Sequence, residues 1–424
     1  MESYPQSARP ERRNKLHVMG KRDLSDMKKK RVPPSMVTLL TGGIDNHYAW
    51  GLGRSLAASG IAVDLVCNAD LDRDEVRQTH NVRLEALYGG SRQQKRSTQK
   101  LLASARVYLR VIRYIAKSSS PIVHILWDYK VPLFDRTILS IFYKAIGKQV
   151  VFTAHNINAA DRDGVDSFIN RLSLRVRYRV VDHIFVHTDK MKDQLVERFG
   201  VRARKITVIP FGAYDMVPQT ALTTEEARMR LGLRSTDRVV LFFGRIAPYK
   251  GIDLLVDAFG RIAPHDERYR LLIAGEPMKE MAQQWVHLQH ILDGSPTRHQ
   301  VRMDTRFIAD NEIESYFKAA DVLVLPYTQI FQSGVLFMAY SFGLPVIASD
   351  VGSFGEDIIE GVTGFISKPA DPEELANTID KYFSSELFRN LPQHRAKIWN
   401  AVQERHSWKV VAAKTSEVYN SLSA

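Results

Sequence analysis

Residues 321–352 read D-V-L-V-L-P-Y-T-Q-I-F-Q-S-G-V-L-F-M-A-Y-S-F-G-L-P-V-I-A-S-D-V-G, the pattern of a strand, a loop, a helix and a second strand. Residues 322–325 form an apolar run of strand length that Pro326 closes, and residues 344–348 form another. Residues 335–342 predict a short, mostly buried helix that Gly343 caps. A connection of this length allows the two strands to lie parallel. The stretch therefore predicts an α/β fold with a parallel sheet.

A small polar turn, Gln332-Ser333-Gly334, precedes the predicted helix. The first N–H groups of a helix lie at the positive end of its dipole, so a turn of this kind suits a phosphate. An ordinary strand–helix–strand unit without a ligand explains the same residues. This stretch alone favours the simpler interpretation.

The D-V-x-V-x-P strand, the small-residue turn, the helix ending in Gly-x-Pro-Val and the sequence A-S-D-V-G resemble the donor-site core of glycosyltransferase family 4. That family has the GT-B architecture, in which two Rossmann-like domains face each other across a cleft and a C-terminal helix crosses back to the first domain. The resemblance covers about residues 36–424 and is strongest over 239–376. It implies transfer of a sugar from a nucleotide-diphosphate donor to a hydroxyl acceptor, with retention of configuration. The nucleotide-sugar is a substrate, and no cofactor or metal is expected.

Composition narrows the class of protein. Hydrophobic residues make up 45% and charged residues 25% of the 424 residues, which is typical of a globular chain of two domains. The one cysteine, Cys67, excludes an intrachain disulfide and fits a reducing compartment. The net charge of +12 suits nucleic acid or an anionic membrane, and we expect no nucleic acid because zinc-ligand spacings and RNA-binding aromatic motifs are absent. With no signal peptide and no apolar run of ~18 residues, we expect a cytoplasmic protein.

Charge and strand signals divide the chain. Residues 1–35 hold ten Lys or Arg and four acidic residues, a balance of 10 − 4 = +6, and predict a basic disordered tail. We expect an N-terminal, acceptor-side Rossmann-like domain over 36–215, a linker over 216–223 and a C-terminal, nucleotide-sugar-binding Rossmann-like domain over 224–403. Residues 404–424 are expected to form the helix that returns to the N-terminal domain.

Two features of the first domain point to a cleft. Gly42 and Gly43 follow the first predicted strand, where glycine lets the backbone approach a ligand, although the turn lacks a G-x-G-x-x-G dinucleotide fingerprint. His155 follows a predicted strand at the edge where open α/β sheets bind ligands, although a lone histidine is more often structural. The resemblance implies that the glycines lie near the donor phosphates and the acceptor, and that His155 lies beside the donor sugar. Phe211 replaces the Asn of the family's V-I-P-N-G turn.

Arg245 and Lys250 lie five positions apart on a loop that follows another predicted strand. Two cations there can neutralise a diphosphate, and a solvated basic loop is the plain alternative. The spacing G-R-x-x-x-x-K-G, which starts at Gly244, resembles the family's diphosphate site. The resemblance gives a candidate site with catalytic residues His155, Arg245 and Lys250; donor phosphate and sugar contacts from Gly42, Gly43, Gly244, Gln332, Ser333, Gly334 and Val335; and a nucleobase side formed by Phe307 and Ile308.

One departure separates this chain from the family. The family usually carries two Glu residues, eight positions apart, which touch the donor sugar and the ribose. The matching positions here are Ile330 and Met338, and no Glu occurs between 315 and 355. The alternative function is therefore a catalytically degenerate GT-B protein that acts as a binding or scaffolding subunit. The presence of Arg245, Lys250 and His155 opposes that alternative.

Basic segments of the first domain predict a membrane partner. In residues 95–117, apolar residues recur at three- and four-residue steps among basic ones, namely Leu101, Leu102, Ala105, Tyr108, Leu109, Ile112 and Ile115. A second basic cluster consists of Arg171, Arg175, Arg177 and Arg179. Most such helices simply pack on a sheet, and the sharper interpretation is a helix that rests on an anionic membrane surface. We therefore expect peripheral association with the inner face of the plasma membrane and, by family analogy, a lipid-linked or oligosaccharide acceptor in surface polysaccharide synthesis.

Overall fold

Two parallel β-sheets form the framework of the chain. In a computed structural model, the described residues are 36–71, 74–89, 97–214, 217 and 219–423. The predicted basic tail lies outside the described residues, as do parts of the predicted linker.

Within the described residues, the first sheet has seven parallel strands in the order β3-β2-β1-β4-β5-β6-β7. The strands are β1 (Met36–Leu40), β2 (Ala62–Asn68), β3 (Val82–Tyr88), β4 (Ile122–Ile125), β5 (Gln149–Thr153), β6 (His183–Val186) and β7 (Ile206–Val208). The helices of this domain are α1 (Asn46–Ala58), α2 (Asp74–Arg77), α3 (Ser97–Lys117), α4 (Pro132–Phe134), α5 (Ser140–Ala145), α6 (Ala159–Arg162), α7 (Phe168–Val180) and α8 (Asp189–Phe199). A π-helical turn, Asp135–Leu139, joins α4 to α5.

The second sheet has six parallel strands in the order β10-β9-β8-β11-β12-β13. The strands are β8 (Arg238–Phe243), β9 (Tyr269–Ala274), β10 (Val301–Asp304), β11 (Val322–Leu325), β12 (Val346–Ser349) and β13 (Gly364–Ser367). The helices are α9 (Thr224–Arg230), α10 (Ile252–Ile262), α11 (Ala282–Asp293), α12 (Asp310–Ala319), α13 (Gly334–Ser341), α14 (Phe354–Asp357), α15 (Pro372–Ser384), α16 (Glu386–Arg389), α17 (Leu391–His406) and α18 (Trp408–Leu422).

The strand–helix–strand prediction for residues 321–352 is confirmed. β11 and β12 pair in parallel, with Leu323 opposite Val346, and α13 connects them. Gly343 follows this helix with φ 62°, and a Cβ there would lie 2.4 Å from the backbone oxygen of Arg395. Only glycine fits this position, because both the left-handed backbone and the neighbouring chain exclude a side chain.

The last helix, α18, returns to the first domain as expected. The indole of Trp408 packs directly on the backbone of Gly51 in α1 and of Gly212, where an added Cβ would lie 2.0 Å and 2.4 Å from the ring. Farther along α18, the hydroxyl of Tyr419 lies 2.6 Å from Nδ1 of His124 on β4. Together with two Rossmann-like sheets, this helix gives the GT-B architecture.

In both sheets, the order in which successive strands are added reverses at an internal strand. In the first, β2 and β4 flank β1, and in the second, β9 and β11 flank β8. Ligands of open parallel sheets bind beyond the carboxyl ends of the strands at such switch points. Gly42 and Gly43 follow β1, and Arg245 follows β8, so both predicted turns occupy this position.

Candidate active site between the two sheets

A cavity of about 1090 Å³ lies between the two domains. Asn46, His47 and Asp70 contribute to its wall from the first domain. The second domain contributes a larger part of the wall, which includes Gly244, Arg245, Gly275, Glu276, Phe307, Ile308, Asp310 and Met338. Four of the predicted site residues, Gly244, Arg245, Phe307 and Ile308, therefore line one interdomain cavity.

The turn after β8 brings Lys250 to the edge of this cavity. A Cβ on Gly244 would lie 3.3 Å from Nζ of Lys250 and 3.4 Å from Cγ2 of Val335. The Lys250 side chain is buried, and this burial lowers its pKa to about 8. Arg245 is exposed. A desolvated ammonium and a free guanidinium thus lie on one loop, where phosphate oxygens would partner both.

The start of α13 lies beside that turn. Ser333 is its N-cap residue, and its side chain makes no capping hydrogen bond. A Cβ on Gly334 would lie 3.9 Å from the rings of Phe211 and Tyr214. The first N–H groups of α13 therefore lie next to the Lys250 loop, so the two predicted phosphate-binding features are adjacent.

Gln332 holds this turn to the neighbouring helix α14. Its Nε2 donates to Oδ2 of Asp357 at 3.1 Å, and its Oε1 is buried with no hydrogen-bond partner among the described residues. Burial raises the pKa of Asp357 to about 7. Oε1 of Gln332 is therefore an unused hydrogen-bond acceptor beside the start of α13.

His155 lies outside the lining of the large cavity. Its ring stacks on Trp127, with centroids 4.1 Å apart and planes 2° apart, and the Tyr48 ring meets it edge-on at 4.6 Å. Phe211 stands between His155 and α13, with its centroid 6.1 Å from His155 and 5.2 Å from Phe337. The aromatic residue that replaces the family's Asn thus occupies the space between the predicted His and the predicted helix start.

His187 determines which nitrogen of His155 carries the proton. Nδ1 of His187 lies 3.2 Å from the carbonyl oxygen of Ile209, which can only accept, so Nδ1 is protonated. Burial lowers the pKa of His187 to about 4, so its Nε2 is bare and accepts from Nδ1 of His155 at 3.0 Å. Burial also lowers the pKa of His155 well below its usual value. Nε2 of His155 is therefore an unprotonated acceptor, and it is buried without a partner among the described atoms.

The predicted Gly42-Gly43 turn requires glycine at both positions. Both residues have positive φ, 60° and 76°. A Cβ on Gly42 would lie 2.5 Å from the backbone oxygen of Asp128, and one on Gly43 would lie 3.2 Å from Cβ of Tyr88. The turn is packed against the end of β4, and neither glycine is part of the large-cavity lining.

Sequence reasoning missed the contacts that cross the cleft. His47 on α1 lies with Nε2 3.9 Å from Oδ1 of Asp310, at the start of α12, and its ring is 4.4 Å from that of Tyr214. His47 follows the Gly-Gly turn by only four residues, and that proximity was the available signal. Of the two positions expected to match the family's Glu pair, Met338 lines the cavity, whereas Ile330 is buried against the backbone of Gly352.

No described helix is long and apolar enough to cross a bilayer. Among the same residues, no group of three or more His, Cys, Asp or Glu side chains is placed to hold a metal ion.

Family models match both halves of the chain. The model described as Glycosyltransferase Family 4 matches residues 41–213, and the one described as glycosyl transferases group 1 matches residues 237–385. The D-inositol 3-phosphate glycosyltransferase of Corynebacterium efficiens is 26% identical over 399 residues, which cover 90% of each chain. The enzyme of that name from Corynebacterium urealyticum is 27% identical over 253 residues, 57% of each chain, so the match spans little more than half of that relative.

Solved structures share the fold across nearly the whole chain. Sucrose-phosphate synthase from Thermosynechococcus elongatus superposes with a TM-score of 0.71 at 20% identity, covering 91% of this chain and 98% of that one. Anabaena HepE in complex with UDP and glucose superposes with a TM-score of 0.69 at 18% identity, covering 91% of this chain and 99% of that one. These structures support the GT-B fold.

Proposed function

We propose that this chain, a GT-B protein of the glycosyltransferase family 4 type, transfers a sugar from a nucleotide-diphosphate donor to a hydroxyl acceptor with retention of configuration. The observation that carries the proposal is the position of Gly244, Arg245 and Lys250, beside the start of α13 and at the edge of the interdomain cavity. Arg245, Phe307 and Ile308 line this cavity, and we propose that Phe307 and Ile308 form the nucleobase side. The structural neighbour HepE has been solved in complex with UDP and glucose, which supports a nucleotide-sugar as the donor.

The cations would do the main chemical work. When the bond between the anomeric carbon and the diphosphate breaks, negative charge grows on the leaving phosphate oxygens. Arg245, Lys250 and the first N–H groups of α13 would stabilise that charge, and because they are held in place before reaction, little reorganisation is required. The leaving oxygen can itself take the acceptor proton, so neither a protein base nor a metal is required. The unprotonated Nε2 of His155 would accept a hydrogen bond from a hydroxyl of the donor sugar once the cleft closes on substrate.

We further propose a lipid-linked saccharide as the acceptor, on a path to a surface polysaccharide, and an anionic membrane as the surface on which it is presented. On this proposal the protein lies peripherally at the cytoplasmic face of that membrane. The support is the charge of the first domain, in which α3 and α7 contain basic residues and no acidic ones.

A degenerate binding or scaffolding subunit is the second candidate. Ile330 and Met338 favour it because they leave the donor sugar and the ribose without their usual carboxylates, and the Phe211 ring narrows the space beside His155. Arg245 and Lys250 oppose it, since a scaffold has no need of two cations at the cavity edge.

A thermal-shift screen against UDP, GDP, ADP and their sugar conjugates separates these candidates when it is paired with product detection. Stabilisation by one nucleotide family together with sugar transfer supports the enzyme. Stabilisation without any transferred product supports a degenerate subunit that still binds nucleotide, and no stabilisation by any of them contradicts the enzyme.

A further inference from the structure

Helix α7 presents an apolar side to solvent. It buries Ser173, Leu174, Arg177 and Tyr178 against the domain, while Phe168, Ile169 and Leu172 are 66%, 61% and 47% exposed. A helix on the surface of a globular domain normally directs its large apolar residues inward. Here the larger apolar residues of the first turns point outward, so something other than this domain is expected to cover them.

The segment that runs from α4 to α5 also exposes large apolar side chains. Leu133 on α4, Ile138 in the π-helical turn and Ile141 on α5 are each more than half exposed. The segment is fixed to α7 by Arg136, whose Nη1 donates to Oδ1 of Asn170 at 2.7 Å. We call the surface formed by Leu133, Ile138, Ile141, Phe168, Ile169 and Leu172 the apolar face.

Basic side chains predominate around the apolar face. α7 has no acidic residue, and the only acid in residues 132–145 is Asp135, which is buried. Arg175 and Arg179 are exposed on α7, whereas Arg171 pairs with Asp166 at 2.9 Å. An apolar strip bordered by arginine matches the boundary between headgroups and acyl chains of an anionic bilayer. A second copy of the chain fits less well, because a symmetric pair would bring the same arginines together.

We propose that the apolar face inserts into the interfacial layer of an anionic membrane and anchors the acceptor domain there. This deepens the proposed function, since it identifies the surface that would meet the membrane carrying a lipid-linked acceptor. It also changes the physical basis of the association, because insertion buries apolar area while the arginines contact lipid phosphate. Attraction by charge alone is screened by salt, but insertion of apolar side chains is not.

The test compares two matched pairs of substitutions in the full chain. Phe168→Asp with Ile169→Asp alters the apolar face, and Val286→Asp with Ile291→Asp alters exposed apolar residues of α11 in the other domain. Co-sedimentation is measured with vesicles of phosphatidylcholine alone and with added phosphatidylglycerol, at about 0.1 M and 1 M salt. Wild type should bind the anionic vesicles best and retain part of that binding in high salt. The α7 pair should lower binding by about tenfold or more, and the α11 pair should leave it unchanged.

Two outcomes would overturn the proposal. One is binding by the α7 variant equal to that of wild type. The other is a wild-type dimer in light scattering that the α7 variant loses, without vesicle binding by either, since that would assign the apolar face to a second copy. Nucleotide-induced thermal shifts, measured on the same variants, should not change. The thermal shifts therefore distinguish a failure of the membrane proposal from a failure of the proposed sugar transfer. They also show that the variants are folded.

Discussion

Nε2 of His187 lies 3.0 Å from Nδ1 of His155, and the carbonyl of Ile209 fixes the proton on the far side of His187. This arrangement predicts that both histidines are neutral and protonated at Nδ1 at neutral pH. In His187→Phe, His155 loses the acceptor for its Nδ1 proton and should shift toward the Nε2-protonated form. Nitrogen-15 spectra of histidine-labelled protein report the tautomer directly. His183→Asn, which removes another buried histidine of the same sheet, is the matched control. If His155 in the wild-type protein is protonated at Nε2, this hydrogen-bond arrangement is wrong.

His155→Ala should reduce transfer much more than nucleotide binding, because His155 is expected at the sugar and not at the base. Turnover and the nucleotide Kd, measured on the same preparation, check this. A thermal unfolding curve is the necessary control, since the ring stacks on Trp127 and its loss leaves a gap. Equal losses of turnover and nucleotide binding would indicate a structural histidine.

The charge state of Lys250 should make the rate of sugar transfer fall at alkaline pH. Burial lowers its pKa to about 8 in the free protein, and only the charged form can neutralise a diphosphate. The competent fraction is therefore complete well below pH 8 and is lost as the pH rises through that value, so kcat/KM should fall above about pH 8. Arginine stays charged over this range, and Lys250→Arg should move the limit upward if it folds with measurable activity. If wild-type kcat/KM stayed flat from pH 7 to pH 10, this role for Lys250 would be wrong.

Gly51→Ala should destabilise the chain, because a Cβ there would lie 2.0 Å from the Trp408 indole. The added methyl must displace the start of α18 from α1, and overpacking of this kind costs about 1–3 kcal/mol or more. Gly260→Ala is the matched control, since Gly260 lies in α10 with nothing within 4 Å of an added Cβ. That substitution should be neutral or stabilising by about 0.5–1 kcal/mol. Chemical denaturation of both variants measures the difference, and equal stabilities would show that the indole is not held against Gly51.

The sequence predicted local structure correctly at positions where the backbone conformation or the packing restricts the type of residue. The apolar run before Pro326 and the glycine at 343 predicted β11, α13 and its end, because strand packing and a positive φ restrict the choice of residue. The glycine-marked turn that carries Arg245 and Lys250 was likewise predicted to follow a strand, and it follows β8. Contacts between distant segments left no such pattern, which is why the approach of His47 to Asp310 was not foreseen.

The sequence also did not predict which side of a helix packs against the sheet. Leu102 and Leu109 belong to the apolar pattern of the basic segment, yet both are exposed, whereas Ile115 of the same pattern is buried. Val107 and Val111, which lie outside that pattern, are also buried. Arg177 was assigned to a basic surface cluster, yet it is buried and its Nη2 donates to Oδ1 of Asp128 at 2.7 Å. A helix with two apolar stripes does not reveal which one the sheet will cover, because that depends on neighbours far along the chain.

Product formation by Arg245→Ala and Lys250→Ala tests the central claim most directly. With the nucleotide-sugar that stabilises wild type and a saccharide acceptor, mass spectrometry should detect the glycosylated product from wild type and from Lys279→Ala, which removes an exposed lysine outside the cavity lining. Each site variant should remain folded and lose nearly all product, because a charge-assisted contact worth about 1.5–3 kcal/mol is removed where the leaving diphosphate gains charge. Near-normal product from either folded site variant would contradict the account.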